Sequence, residues 1–237
     1  MVKYIYPNSE EVATRFADAL VEKISKSDKF HWSVSGGSTP KILFSLLAEK
    51  YADKIDWSKV HFYWGDERCV PPTDEDSNYK MTKERLFDLV DVPAENIHRI
   101  VGENEPLEEA KRHEEELKAL MPTNEKGLPV FDLIMLGMGG DGHTASIFPH
   151  QMELLSSEQV CEVAEHPESG QKRVTITGPV INAAKEIAFL VTGEGKAEKI
   201  DEIFYGKGRS ESYPATHIQP SSGNLSWYLD SAAASKL

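Results

Sequence analysis

Cysteine is scarce in this chain. Only two occur among 237 residues, Cys69 and Cys161. Each sits among strand-forming residues, and neither belongs to a CxxC pair or a Cys/His pattern. No zinc site or disulfide framework is therefore expected, and the thiols read as reduced and cytosolic. Positive charge is also short: 26 Lys and Arg face 39 Asp and Glu, for a net charge of -13. Nucleic acid and anionic membrane both need a basic surface, so neither is expected as a partner. A small anion needs only a few local cations and stays open. Long apolar runs are missing, and none approaches the ~20 residues that span a bilayer. The opening Met-Val-Lys-Tyr-Ile-Tyr-Pro-Asn lacks the apolar stretch of a signal peptide. These absences predict a cytoplasmic protein. What is present is a hydrophobic content of 40%, enough for a real core. The length suits one large α/β domain, and residues 1–237 are read as such.

Helical and strand patterns alternate along the chain. Val12, Phe16, Ala19, Leu20 and Ile24 fall on one face and predict a helix over 9–26. Asn8 can cap it, with Glu11 as a capping-box partner. Strands are expected at 30–35, 60–64, 131–136, 160–164, 173–177, 187–192 and 225–229. Helices are expected at about 40–51, with Pro40 at the first helical position, and at 77–90, 105–120, 179–185 and from 196 through Phe204. The segment 105–120 is dense in charge and reads as a solvated face. Strands alternating with helices predict a three-layer α/β/α fold around a mainly parallel sheet, Rossmann-like in arrangement.

Four places carry chemistry. The first is Phe131 to Pro149, where an apolar strand ends at Gly137 and a glycine loop presents Asp141 and His143. Open α/β sheets bind ligands at such strand ends. An imidazole there is a candidate general base, although a packing or capping histidine would look the same. Gly137-Met-Gly-Gly-Asp-Gly142 also fits G-x-G-x-x-G. However, Asp141 would repel a pyrophosphate, and Glu162 lies within a strand rather than at its end, so a dinucleotide is not expected. The second place is Ser35-Gly36-Gly37-Ser38-Thr39-Pro40. Its exposed N–H groups and the following helix could hold a phosphate, or the segment could be an ordinary βα turn. It is no Walker A loop. The third is Asp66-Glu67-Arg68 after an aromatic strand, read either as capping carboxylates beside a surface arginine or as a carboxylate and guanidinium facing a polar ligand. The fourth is the pair Arg173 and Lys196, near strand ends or turns. Each could be a surface cation, or the two could balance a dianionic phosphate.

Together these segments resemble the 6-phosphogluconolactonases, within the wider glucosamine-6-phosphate isomerase/lactonase superfamily (the NagB-like fold). The matching stretches are Ser35 to Pro40, Gly65-Asp-Glu-Arg-Cys-Val-Pro71, Ser77-Asn-Tyr79, Gly137 to Pro149, Arg173-Val-Thr-Ile-Thr177, Gly195-Lys196, Tyr213-Pro-Ala215 and Trp227-Tyr-Leu-Asp230. The resemblance implies hydrolysis of 6-phosphoglucono-1,5-lactone, with the phosphorylated sugar lactone as the small-molecule partner. That chemistry needs no metal and no metal-ligand spacing appears, so no metal or cofactor is expected, and a monomer is expected by default. It implies His143 as the base and Asp141, Asp66 and Arg68 beside it. The anion would be held by Ser35, Gly36, Gly37, Ser38 and Thr39 with Arg173 and Lys196. Two departures stand out. Asp74-Glu75-Asp76 occupies a stretch where many lactonases carry a histidine. Ser146-Ile-Phe-Pro149 replaces the acid-containing segment of the aminosugar deaminases, which favours a lactonase over a glucosamine-6-phosphate deaminase. A non-catalytic sugar-phosphate binder is the alternative from another class.

Overall fold

Asn8 opens the first helix by accepting the Glu11 N–H on its side chain at 2.9 Å. Glu11 does not complete a capping box; its carboxylate pairs with Arg15 one turn on, at 2.7 Å. The computed structural model describes residues 1–237. In chain order the elements are β1 (Val2–Tyr6), α1 (Ser9–Ser25), β2 (Phe30–Val34), α2 (Ser38–Lys50), β3 (Val60–Trp64), β4 (Asp66–Arg68), α3 (Asn78–Thr82), β5 (Ile97–His98), α4 (Pro106–Leu120), β6 (Leu133–Leu136), β7 (Cys161–Glu165), β8 (Lys172–Ile176), α5 (Gly178–Asn182), β9 (Ile187–Val191), α6 (Ala197–Tyr205) and β10 (Leu225–Asp230).

Seven of the strands form one parallel sheet in the order β1-β10-β9-β6-β2-β3-β5. β2 and β9 are buried along their whole length, as strands covered on both faces must be. The layers follow from side-chain direction. On β10, Tyr228 packs edge-on to Phe16 of α1, while its neighbour Trp227 meets Phe204 of α6. Successive strand residues face opposite ways, so α1 and α6 cover opposite faces. On α1's side, Trp32 of β2 packs on Phe44 of α2. The core is one cluster of 54 buried hydrophobic residues, with Trp32, Trp64 and Trp227 among its largest members.

The chain builds outward from β2 through β3 to β5. It then returns to place β6 on the other side of β2, and builds outward again through β9 and β10. The direction of winding therefore reverses between β2 and β6. At that point the loops leaving two adjacent strand ends diverge and open a crevice.

Several sequence expectations need correction. β7 and β8 do not join the main sheet. They form a separate antiparallel sheet with β4, in the order β4-β8-β7. The second helix starts at Ser38 rather than Pro40, with Gly37 as its cap residue. The helix expected over 77–90 is a single turn, α3, followed by a π-helical turn over Lys83–Phe87. α4 is not only a solvated face: Glu109 and His113 on it are buried.

Candidate active site

The glycine loop after β6 is braced from within and behind. Gly139 N–H donates to His143 O at 2.8 Å, and Thr144 Oγ1 donates to Gly137 O at 2.8 Å. Ala215 N–H donates to Gly142 O at 3.1 Å. Gly142 has φ 87°, and a Cβ there would lie 2.5 Å from the Tyr213 ring. Tyr213 is in turn hydrogen-bonded to Glu202 of α6. A Cβ at Gly139 would lie 2.2 Å from His143 Nδ1 and 2.6 Å from Asp141 Oδ1. Glycine is thus needed at both positions for the loop to close around its histidine.

Inside that loop His143 Nδ1 and Asp141 Oδ1 are 2.6 Å apart, and the His143 backbone N–H donates to the same oxygen at 3.1 Å. A carboxylate can only accept, so it fixes the proton on Nδ1 and leaves the Nε2 lone pair free. The Asp141 carboxyl is pulled down to about 2. Its partial burial opposes this, but the hydrogen bond and charge of His143 outweigh the burial. The ring of His143 rests against Phe148, 4.6 Å between centroids.

A cleft of about 230 Å³ lies in front of this dyad. Ten of the eleven residues expected from the sequence line it: Ser35, Gly36, Gly37, Ser38, Thr39, Asp66, Arg68, His143, Arg173 and Lys196. The eleventh, Asp141, stands behind His143 as its hydrogen-bond partner.

One wall is the start of α2. Gly37 takes φ 109° and offers no side-chain cap. The first N–H groups of α2 are then left for an external acceptor, with the positive end of the helix behind them. Thr39 Oγ1 is 2.8 Å from Thr192 Oγ1, which ties this wall to the end of β9.

The opposite wall is β4 against β8, where Arg68 and Arg173 face each other across the two strands. Like charges in register repel, so the pairing is costly unless an anion joins them. Arg68 Nη1 donates to Asp76 O at 2.6 Å. The Nε atoms of both arginines are buried without partners. The Arg173 guanidinium is pushed below its usual range, first by burial and also by Arg68, with Asp66 opposing. Lys196 is lowered by burial, with Asp141 opposing. Each stands to gain from an incoming negative charge.

Glu67 is not a cleft residue. It is buried and accepts the backbone N–H groups of Arg68, Asn78 and Tyr79 and the Ser77 hydroxyl, at 2.8 to 3.0 Å. It therefore holds the start of α3 against β4. Asn78 is a lining residue that the sequence did not single out. Its Nδ2 donates to Asp66 O at 3.0 Å, and its side chain fills the space that a Cβ on Gly36 would need. Thr192 was missed as well. Asn78 lay within a quoted motif and Thr192 at the end of an expected strand, but neither carries charge or a titratable group to draw attention.

The sequence model for glucosamine-6-phosphate isomerases/6-phosphogluconolactonase matches residues 8–227. The chain belongs to that family. A 6-phosphogluconolactonase of Haemophilus influenzae is 48% identical over 229 residues, covering 96% of both chains. A 6-phosphogluconolactonase of Nostoc is 37% identical over 238 residues, covering 98% of this chain and 97% of the relative. Among solved structures, the devB protein superposes with a TM-score of 0.95 at 47% identity, covering 100% of this chain and 99% of that one. The 6-phosphogluconolactonase of Trypanosoma brucei gives a TM-score of 0.87 at 28% identity, over 100% and 98% of the two chains. A monomeric glucosamine-6-phosphate deaminase shares the fold at 21% identity, with a TM-score of 0.83. The three-layer architecture is thus the family's own.

Proposed function

We propose that this protein hydrolyses 6-phospho-D-glucono-1,5-lactone to 6-phospho-D-gluconate, a step of the oxidative pentose phosphate pathway. The observation that carries the mechanism is the Asp141–His143 hydrogen bond of 2.6 Å at the edge of a cleft lined by Arg68, Arg173 and Lys196, cations that form no salt bridge within the chain. The family and its lactonase members support the substrate.

In this reading the phosphate lies at the start of α2, on the N–H groups of the Ser35–Thr39 segment, with Arg173 and Lys196 supplying positive charge. That anchor fixes C1 of the lactone against His143. His143 Nε2 removes a proton from water as the water oxygen bonds to C1. The carbonyl electrons move onto oxygen, and Asp141 steadies the imidazolium through Nδ1. Arg68 or the N–H groups of the glycine loop stabilise the oxyanion. As the oxyanion collapses, the bond from C1 to the ring oxygen breaks. The ring oxygen then takes the proton back from Nε2 and leaves as a hydroxyl. Asp66 acts from the wall beside Arg68, where it can accept from sugar hydroxyls. In this reading the protein is a monomer built as one domain over 1–237. Two free thiols, Cys69 and Cys161, support a cytoplasmic setting.

The test is turnover of freshly prepared lactone, corrected for spontaneous opening. The wild type should show lactonase activity. His143→Ala should lower kcat by about 10²–10⁴-fold while its affinity for 6-phosphogluconate stays close to that of the wild type. Near-full activity in that variant would refute the role of His143. Ammonia release from glucosamine 6-phosphate would instead point to a deaminase.

A further inference from the structure

Two opposite charges in the β4–β8 wall stand close without closing. Asp66 and Arg173 are both buried, 5% and 8% exposed. Asp66 is the largest attractive charge acting on Arg173, yet the two form no ion pair. The hydroxyl of Ser146 lies between them. Ser146 Oγ donates to Asp66 Oδ2 at 2.5 Å and accepts from Arg173 Nη1 at 3.4 Å.

Ser146 reaches that place from the same loop that carries His143. Ala145, immediately before Ser146, has φ 45° and is the only non-glycine residue with a positive φ. Such a conformation is disfavoured for any residue with a Cβ and persists where surrounding structure enforces it. The turn sends Ser146 inward, where it is fully buried and its backbone N–H donates to Thr175 Oγ1 at 3.2 Å. Meanwhile the Arg173 guanidinium rests 5.4 Å from the Phe148 ring centre, with its Nε still unpartnered.

We propose that Ser146 is a positioning residue: its hydroxyl spaces Asp66 from Arg173 and keeps both groups available to the substrate. The proposal rests on the lactonase reading of the cleft and assigns it a further part. Without the spacer, a carboxylate and a guanidinium in a buried wall would close into a bidentate pair and use up the donors. With it, Arg173 keeps N–H groups for the anion, and Asp66 keeps an oxygen for sugar hydroxyls.

A double-mutant cycle on the full chain tests this, with 6-phosphogluconate as the probe in calorimetry and the lactone in kinetics. Ser146→Ala should weaken product binding and raise KM by about tenfold, with a much smaller change in kcat. Arg173→Gln should do the same. The double variant should bind no worse than Arg173→Gln alone, because the first change already removes what Arg173 contributes. Ser146→Thr, which keeps the hydroxyl, should restore most of the affinity. Losses that multiply in the double variant, or an unchanged affinity in Ser146→Ala, would overturn the spacer role. Should Ser146→Ala fail to fold by circular dichroism, Ser146→Cys, close in volume and a weak donor, takes its place in the cycle. Failure of the wild type to bind 6-phosphogluconate would sink the reading of the cleft itself. Binding with multiplicative losses would sink only the role of Ser146.

Discussion

Gly36 shows how tightly single atoms are set in this cleft. A Cβ at that position would lie 1.8 Å from Asn78 Oδ1, and Asn78 is itself buried and bonded to the backbone of Asp66. Gly36→Ala therefore forces Asn78 to turn away, breaking its contact to β4 and shifting the loop that leads into α2. Activity should fall by about tenfold or more, because small displacements of a binding loop are costly for positioning. Steady-state kinetics on the lactone measures this, and an unchanged kcat/KM would show that the loop tolerates the shift. At this scale the sequence was readable where chemistry and glycine coincide. His143, Asp141 and the Ser35 loop announce themselves by residue type. Ser146 and Asn78 do not. They are small neutral residues whose importance comes from neighbours far away in the chain, on β4 and β8, which no local pattern reveals.

Among the elements, the contact between α4 and the sheet holds most of the unusual polarity. His31 on β2, His61 on β3 and His98 on β5 face a layer that also contains Tyr63 on β3 and His113, Glu116 and Arg112 on α4. His31 Nδ1 meets Tyr63 Oη at 3.1 Å, His61 Nδ1 meets His98 Nε2 at 3.0 Å, and His113 Nδ1 meets Glu116 Oε2 at 3.1 Å. Arg112 Nη1 donates to Glu116 at 3.0 Å. Burial pushes His31 and His61 each down to about 4, with Asp132 partly opposing at His31. An unfolded chain takes up these protons near pH 6.5, and the folded one does so only near pH 4. Stability should therefore be full above about pH 6.5 and decline as pH falls from there toward 4. Thermal melts of the wild type and of His31→Gln plus His61→Gln, compared at pH 7.5 and pH 5, check this. The double variant should lose less Tm between the two pH values; an equal loss would refute the account. The sequence identified most of the long elements here, because apolar runs and helical spacing persist over ten residues or more. It did not reveal β1, the two-residue β5, or β4. Asp66-Glu67-Arg68 has no strand character of its own and extends only because β8 offers it a partner. The charged segment of α4 was read as solvent-facing, yet Glu109 is buried by accepting from Val101 N–H, Asn104 and Arg112. An ion pair within the helix and hydrogen bonds from the preceding loop overrode the composition.

For the whole molecule, the functional cleft and the sheet margin are separate. The cleft opens between β2 and β6, whereas β1 lies at the outer edge, with β10 as its one strand partner. β1 contributes Tyr4 and Tyr6, whose rings pack on Tyr228. Deleting residues 1–6 should lower Tm by roughly 5–10 °C and leave KM for the lactone within about twofold, since no cleft residue is touched. A large rise in KM would mean that the margin communicates with the site. The pairing of β1 with β10 has one more consequence, for the chain as it is being made. The first strand leaves the ribosome with no neighbour to bind and waits for residues 225–230. At about 5–20 residues per second, that wait lasts on the order of ten to fifty seconds. Through that interval the backbone groups of Val2–Tyr6 that later bond to β10 stay unpaired, and a trailing fusion that delays the last strand would prolong their exposure to chaperones and to neighbouring nascent chains.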